Sequence, residues 1–108
     1  MEFTATNDNG HLTIVVDSTR LTSANASGLT QIVRPVLPNL KSVTVDCRRL
    51  NLVDSGGLVG LVMLAKMIDA EGIEPATIRN LNPSVEKLIK LSHLEKHFHF
   101  DAHDLGHA

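Results

Sequence analysis

A chain of 108 residues with a formal net charge of −2 and 20% charged residues has room for one compact domain. That balance excludes the basic face a nucleic-acid binder needs. Three Phe, with no Trp or Tyr, exclude an aromatic stacking platform and leave an aliphatic core of Leu, Ile and Val. The single cysteine, Cys47, excludes an internal disulfide and suits a reducing compartment. The first residues lack the basic start and apolar run of a signal peptide. The richest apolar run, Leu58 to Ala65, stops at Lys66, short of a membrane span. A cytoplasmic address, without membrane insertion, is the expectation.

In chain order, the runs Phe3 to Asn7 and His11 to Val16 predict a hairpin around Asp8-Asn9-Gly10. A helix is expected from near Ser23 or Asn25, either of which could cap it, with Leu29, Ile32, Val33 and Val36 on its buried face. Pro35 should kink or shorten it. Ser42 to Cys47 reads as a central β-branched strand and Arg48 to Val53 as a loop or short extended segment. A second helix is expected from Ser55 to Glu71, with Gly72 as its stop. Ala76 to Arg79 reads as another strand. Asn82-Pro83 marks the start of a third helix carrying Val85, Leu88, Ile89 and Leu91. A last strand is expected at His97 to Phe100, then a polar tail over 101–108. The order predicts an α/β domain: a mixed four- to five-stranded sheet, largely covered by three to four helices.

The segment Val53-Asp54-Ser55-Gly56-Gly57-Leu58 joins the central strand to the second helix. Ser55 falls at a helix N-terminus, where free N–H groups and the dipole favour negative charge. Gly56 and Gly57 remove side chains, so a visiting protein or phosphate could approach the backbone closely. Asp54 can cap the helix and would repel a phosphate on Ser55. A purely structural reading is also open, in which Asp54 or Ser55 is only a cap and the glycines ease packing. A nucleophile elbow is excluded because Val53 stands where Gly-x-Ser-x-Gly needs glycine. A phosphate-cradling Gly-Lys-Ser segment is missing, and no histidine lies nearby in sequence to serve Ser55 as a base. No enzymatic activity is expected.

The helix after this loop has Leu58, Leu61, Val62, Ala65 and Ile68 on one face, with Val59, Met63, Leu64 and Met67 around most of the rest. A helix apolar all round is buried on two sides, against a neighbouring element or a partner. His93, His97, His99, His103 and His107 lack the fixed framework of a metal site and read as part of a solvated tail. Arg48 and Arg49 read as a solvated basic spot, and Cys47 as a small buried residue.

Several stretches together resemble the STAS domain family, especially bacterial anti-sigma factor antagonists. They are Ser42 to Cys47, Leu52 to Leu58, Arg20 to Ala26, and Ile78 to Val85 followed by Leu88 and Leu91-Ser92-His93-Leu94. The resemblance spans about residues 3 to 100. It implies a single STAS domain that binds an anti-sigma factor, itself a serine kinase, when unmodified. The kinase would phosphorylate Ser55 and so release itself, and a PP2C-type phosphatase would reset the switch. The partner surface would comprise Thr22, Ser23, Asn25, Asp54, Ser55, Gly56, Gly57 and Met63. ATP would belong to the kinase, leaving this chain without cofactor, metal or catalytic residue. Two positions depart from the family pattern. Gly56 stands where many antagonists carry a second hydroxyl, and Thr22 where many carry an aspartate. The Asp-Ser-Gly-Gly-Leu segment also resembles the STAS subunits of lipid-transporting ABC systems, which grip an ATPase through the same surface.

Overall fold

The computed structural model describes residues 2–101. The first two strands, β1 (Phe3–Asp8) and β2 (His11–Val16), pair antiparallel, with Phe3 opposite Val16 and Asp8 opposite His11. Between them Asn9 and Gly10 take φ of 54° and 94°. Two left-handed residues make a type I′ turn, whose twist matches that of the strands it joins.

The chain continues through β3 (Arg20–Leu21) and α1 (Ser27–Val33), then a 3-10 segment (Arg34–Asn39) and β4 (Ser42–Asp46). Next come β5 (Leu52–Val53), α2 (Ser55–Ala70), β6 (Ala76–Arg79) and α3 (Pro83–Leu91). A 3-10 turn (Leu94–Lys96) leads into β7 (Phe98–Asp101). Pro35 ends the α-helical pattern as expected: it offers no N–H, and the chain tightens into the 3-10 segment. Gly72 follows α2 with φ 75°, and the Asn82 side chain accepts from the Val85 N–H at 2.9 Å to cap α3. The first helix starts later than its sequence suggests, at Ser27, and neither Ser23 nor Asn25 caps it. Residues 22–26 instead form turns in which the Asn25 and Ala26 N–H groups both donate to the Thr22 carbonyl.

Five strands form one mixed sheet in the order β1-β2-β4-β6-β7, and only the β1–β2 pair is antiparallel. Leu12, Ile14, Val16, Val43, Val45 and Ile78 point to one side and join buried residues of all three helices in a single core. On the opposite side Thr6, Thr13, Thr44 and Thr77 share one register row across four strands and are exposed or half-buried. The helices therefore cover one face, and the expectation of a largely covered sheet is corrected by that threonine row. A threonine row suits an open pleated surface, because the branched Cβ favours the strand while the hydroxyl stays wet.

The last strand runs to Asp101, whose carboxylate meets Arg79 Nε at 3.2 Å. The tail expected from 101 therefore does not begin there. Its remaining residues, His103 and His107 among them, lie outside the described residues. Among the described residues no helix is long and apolar enough to cross a membrane, and no three His, Cys, Asp or Glu side chains gather as a metal set.

Candidate functional site: the start of the second helix

A small parallel sheet, which its two-residue strands hide from any reading of alternation, builds the site. β3 pairs with β5, Arg20 opposite Leu52 and Leu21 opposite Val53. The pair is continued on both sides by the Asn51 N–H donating to the Thr19 carbonyl at 2.7 Å and the Asp54 N–H to the Leu21 carbonyl at 3.2 Å. This brings the loop Thr22 to Ala26 alongside the first turn of α2.

That turn is capped by Asp54, not Ser55. Asp54 has extended backbone, and its Oδ1 accepts from the Gly57 N–H at 2.9 Å. Its carbonyl accepts from the Leu58 N–H at 2.9 Å. With the cap role taken by its neighbour, Ser55 is the first residue of the helix, exposed, and its hydroxyl has no hydrogen-bond partner among the described residues. Among the described residues the N–H groups of Ser55 and Gly56 are also left without an acceptor.

The glycines serve the chain's own packing. A Cβ on Gly56 would lie 2.5 Å from the Ser23 backbone nitrogen, and one on Gly57 only 2.1 Å from the Leu21 carbonyl oxygen. A Cβ on Gly60, one turn further on, would lie 2.5 Å from the Ala26 Cβ. The expectation that Gly56 and Gly57 leave bare backbone for a visitor is thus corrected: the loop from Leu21 to Ala26 already fills that space, and Gly57 is buried.

The facing loop is held by its own polar side chains. Asn25 Oδ1 accepts from the Thr22 N–H at 2.9 Å, and Asn25 Nδ2 donates to the Arg20 carbonyl at 2.8 Å and to Glu2 Oε1 at 3.0 Å. Thr22 Oγ1 accepts from the Ala24 N–H at 3.1 Å. Thr22 and Asn25 are half-buried supports, whereas Ser23 is exposed beside Gly56.

Beyond Ser55 the two helices enclose a shallow groove of about 350 Å³, lined by Ser23, Ala26, Ser27, Thr30, Gly56, Val59, Gly60 and Met63. Val59 is 60% exposed and Met63 54%, although both are large and apolar. The structure thus brings Ser23, Ser55, Gly56 and Met63 onto one surface, with Asp54 at its rim and Thr22, Asn25 and Gly57 beneath it. Sequence reasoning did not single out Ser27, Thr30 and Gly60. The available signal was the four-residue spacing of Gly56 with Gly60 and Val59 with Met63, which lines up two stripes on one helix face. Leu64, grouped by its position with Val59 and Met63, is instead fully buried.

Behind the site lies a second polar cluster that no sequence pattern announced. Asp46, only 6% exposed, accepts from the Arg48 backbone N–H at 3.1 Å, Arg48 Nη2 at 2.8 Å and Asn80 Nδ2 at 3.1 Å. Burial pushes its carboxyl up, but the hydrogen bonds from Arg48 and Asn80, with the guanidinium charge, outweigh this and hold it below the ordinary carboxylate range. Arg48 is therefore an ion-pair partner of Asp46, not a free solvated charge. Burial and the neighbouring Asp46 charge push the Cys47 thiol up to about 12, which keeps it protonated and unreactive. A histidine–serine hydrogen bond does exist, His11 Nδ1 with Ser42 Oγ at 2.7 Å, but on the open face of the sheet, and the Ser42 N–H donates to the Gly10 carbonyl. Among the described residues Ser55 has no such base.

Comparison with known proteins gives the same placement. The family model described as "Mlab, STAS domain" matches residues 4–101. No curated protein matches in sequence. Among solved structures, an RsbS variant of Moorella thermoacetica superposes with a TM-score of 0.75 at 13% identity, covering 93% of this chain and 86% of that one. A Thermotoga maritima protein assigned as an anti-sigma factor antagonist gives 0.74 at 17% identity, covering 94% and 88%. The Bacillus cell-fate determinant SpoIIAA in its phosphorylated form gives 0.70 at 13% identity, covering 94% and 93%. At such identities the superpositions speak for the fold, and the family match spans almost the whole described chain. The chain belongs to the STAS domain family.

Proposed function

We propose that this protein is an anti-sigma factor antagonist that switches partners through phosphorylation of Ser55. The observation that carries the reading is the exposed Ser55 hydroxyl, without a hydrogen-bond partner among the described residues, on the first residue of α2 beside a groove floored by Val59 and Met63. An unmodified surface of this kind suits close apolar docking on a serine kinase that is also the anti-sigma factor. A phosphate on Ser55 adds about −1.5 to −2 charges at the rim of that contact. The N–H groups of Ser55 and Gly56 and the helix dipole stabilise it in the free protein. The Asp54 carboxylate and the apolar wall do not, so the partner pays for desolvating the new charge and leaves. A PP2C-type phosphatase would restore the binding form. That one structural neighbour, SpoIIAA, has been solved both unphosphorylated and phosphorylated supports this reading. The chain itself would hold no nucleotide and work in the cytoplasm.

The test is incubation with a cognate serine kinase and ATP, followed by intact-mass measurement. A single added phosphate that disappears in Ser55→Ala is the expected result, and a phosphate that persists in Ser55→Ala overturns the assignment. A second reading, a STAS subunit gripping the ATPase of a lipid-transporting ABC system through the same groove, is favoured by one observation. The family model that matches is described by Mlab and not by an antagonist. Copurification with such an ATPase, with no phosphate on the chain, would decide for it.

A further inference from the structure

Among the described residues the outer edge of β1 is open. Its residues from Thr4 to Asp8 are all exposed, and the strand carries no proline, no lysine or arginine and no bulge. Those are among the devices that normally keep a sheet edge from pairing, and the one charge on the strand is Asp8 at its end. The backbone groups that face outward can be identified. The Asp17 N–H donates to the Glu2 carbonyl at 2.8 Å, and Asp8 closes the two-residue turn opposite His11. In an antiparallel ladder bonded pairs alternate, so Glu2, Thr4, Thr6 and Asp8 spend their backbone groups on β2. Phe3, Ala5 and Asn7 turn their N–H and carbonyl groups to the outside.

We infer that β1 is a self-pairing edge, on which a second copy of this chain docks antiparallel about a two-fold axis through Ala5. In that register Ala5 meets Ala5 of the second copy and Phe3 meets Asn7, so every outward group of the three residues finds a partner. The pairing needs residues of equal parity opposite one another, which keeps both helix layers on the same side of one continuous ten-stranded sheet. On the open face Thr4 lies against Thr6 of the copy, a favourable cross-strand pair that extends the threonine row. At each end Glu2, whose Oε1 is held by Asn25 Nδ2, falls opposite Asp8, and these like charges oppose the contact. Pairing one short strand covers less surface than the 1,200 Å² or so of a stable interface, so the dimer is a weak, reversible one.

Sedimentation equilibrium on the intact chain, up to about 1 mM, tests this. The expected result is a reversible dimer at high concentration, stronger by several-fold in Asp8→Asn. Ala5→Pro should be monomeric while keeping its far-ultraviolet spectrum and thermal midpoint. The proline removes an outward N–H and leaves the β1–β2 ladder intact. Thr6→Pro, which removes an inward N–H, should lower the thermal midpoint and separates loss of fold from loss of pairing. A chain that stays monomeric throughout, or a dimer that Ala5→Pro does not disturb, overturns the inference.

Discussion

Asp46 shows how one side chain can organise the approach to a site without touching it. Its carboxylate joins β4 to the turn at Arg48 and to Asn80, whose φ of 60° puts it in the left-handed region that asparagine tolerates. Removing the acceptor strands those donors, so Asp46→Ala should cost about 1–3 kcal/mol in urea unfolding at neutral pH. The carboxyl is held lower in the folded chain than in the unfolded one. Its stabilisation is therefore present above the unfolded value of about 3.9 and is lost as pH falls through the lower folded value. The stability difference between wild type and Asp46→Asn should accordingly narrow in unfolding curves taken below about pH 4. None of this was legible in the sequence, where Asp46 is one polar residue in a β-branched run and Asn80 stands 34 positions away. Thr22 and Asn25 were legible as interesting but not as to role: a partner contact and a loop support have the same residue types. Thr22→Ala removes the acceptor for the Ala24 N–H and should lower stability by about 0.5–2 kcal/mol, measured in the same way.

Elements with strong local punctuation were readable from the sequence. The Asn9-Gly10 turn, the Asn82-Pro83 start and the Gly72 stop each state a backbone conformation directly, and the elements they bound lie where expected. The β3–β5 pair was not readable, because two residues per strand carry no alternation and the pairing joins segments far apart in sequence. It was this pair that decided what the glycines of α2 are for. Gly56, Gly57 and Gly60 let the helix lie against Leu21, Ser23 and Ala26 at distances no Cβ tolerates. Gly60→Ala should therefore destabilise the chain by about 1–3 kcal/mol, although alanine is the better helix former. Circular dichroism melting of that variant against wild type measures the loss.

At the scale of the molecule, the one-sided sheet places the helices, the groove and Ser55 on the covered side and leaves the threonine row to solvent. The parallel strands deliver their following loops to a common edge, and there Asp46, the β3–β5 pair and the first turn of α2 meet. The sequence pattern indicated a mixed sheet with helices but not that one face stays open, since a threonine suits a buried strand edge and a wet face alike. The site segment itself was legible as a helix start with an accessible hydroxyl. What the sequence could not supply was the groove beside it, because two of its three walls come from α1 and the preceding loop. Charge placed on Ser55 therefore stands at the mouth of an apolar cleft, and its effect on docking is the consequence that matters most. Titration calorimetry of the proposed partner, an anti-sigma serine kinase, against wild type, Ser55→Ala and Ser55→Asp measures it directly. Wild type and Ser55→Ala should bind alike and Ser55→Asp about 30-fold or more weaker, the loss expected of an unpaired charge in a close contact. Equal binding by all three would contradict the account.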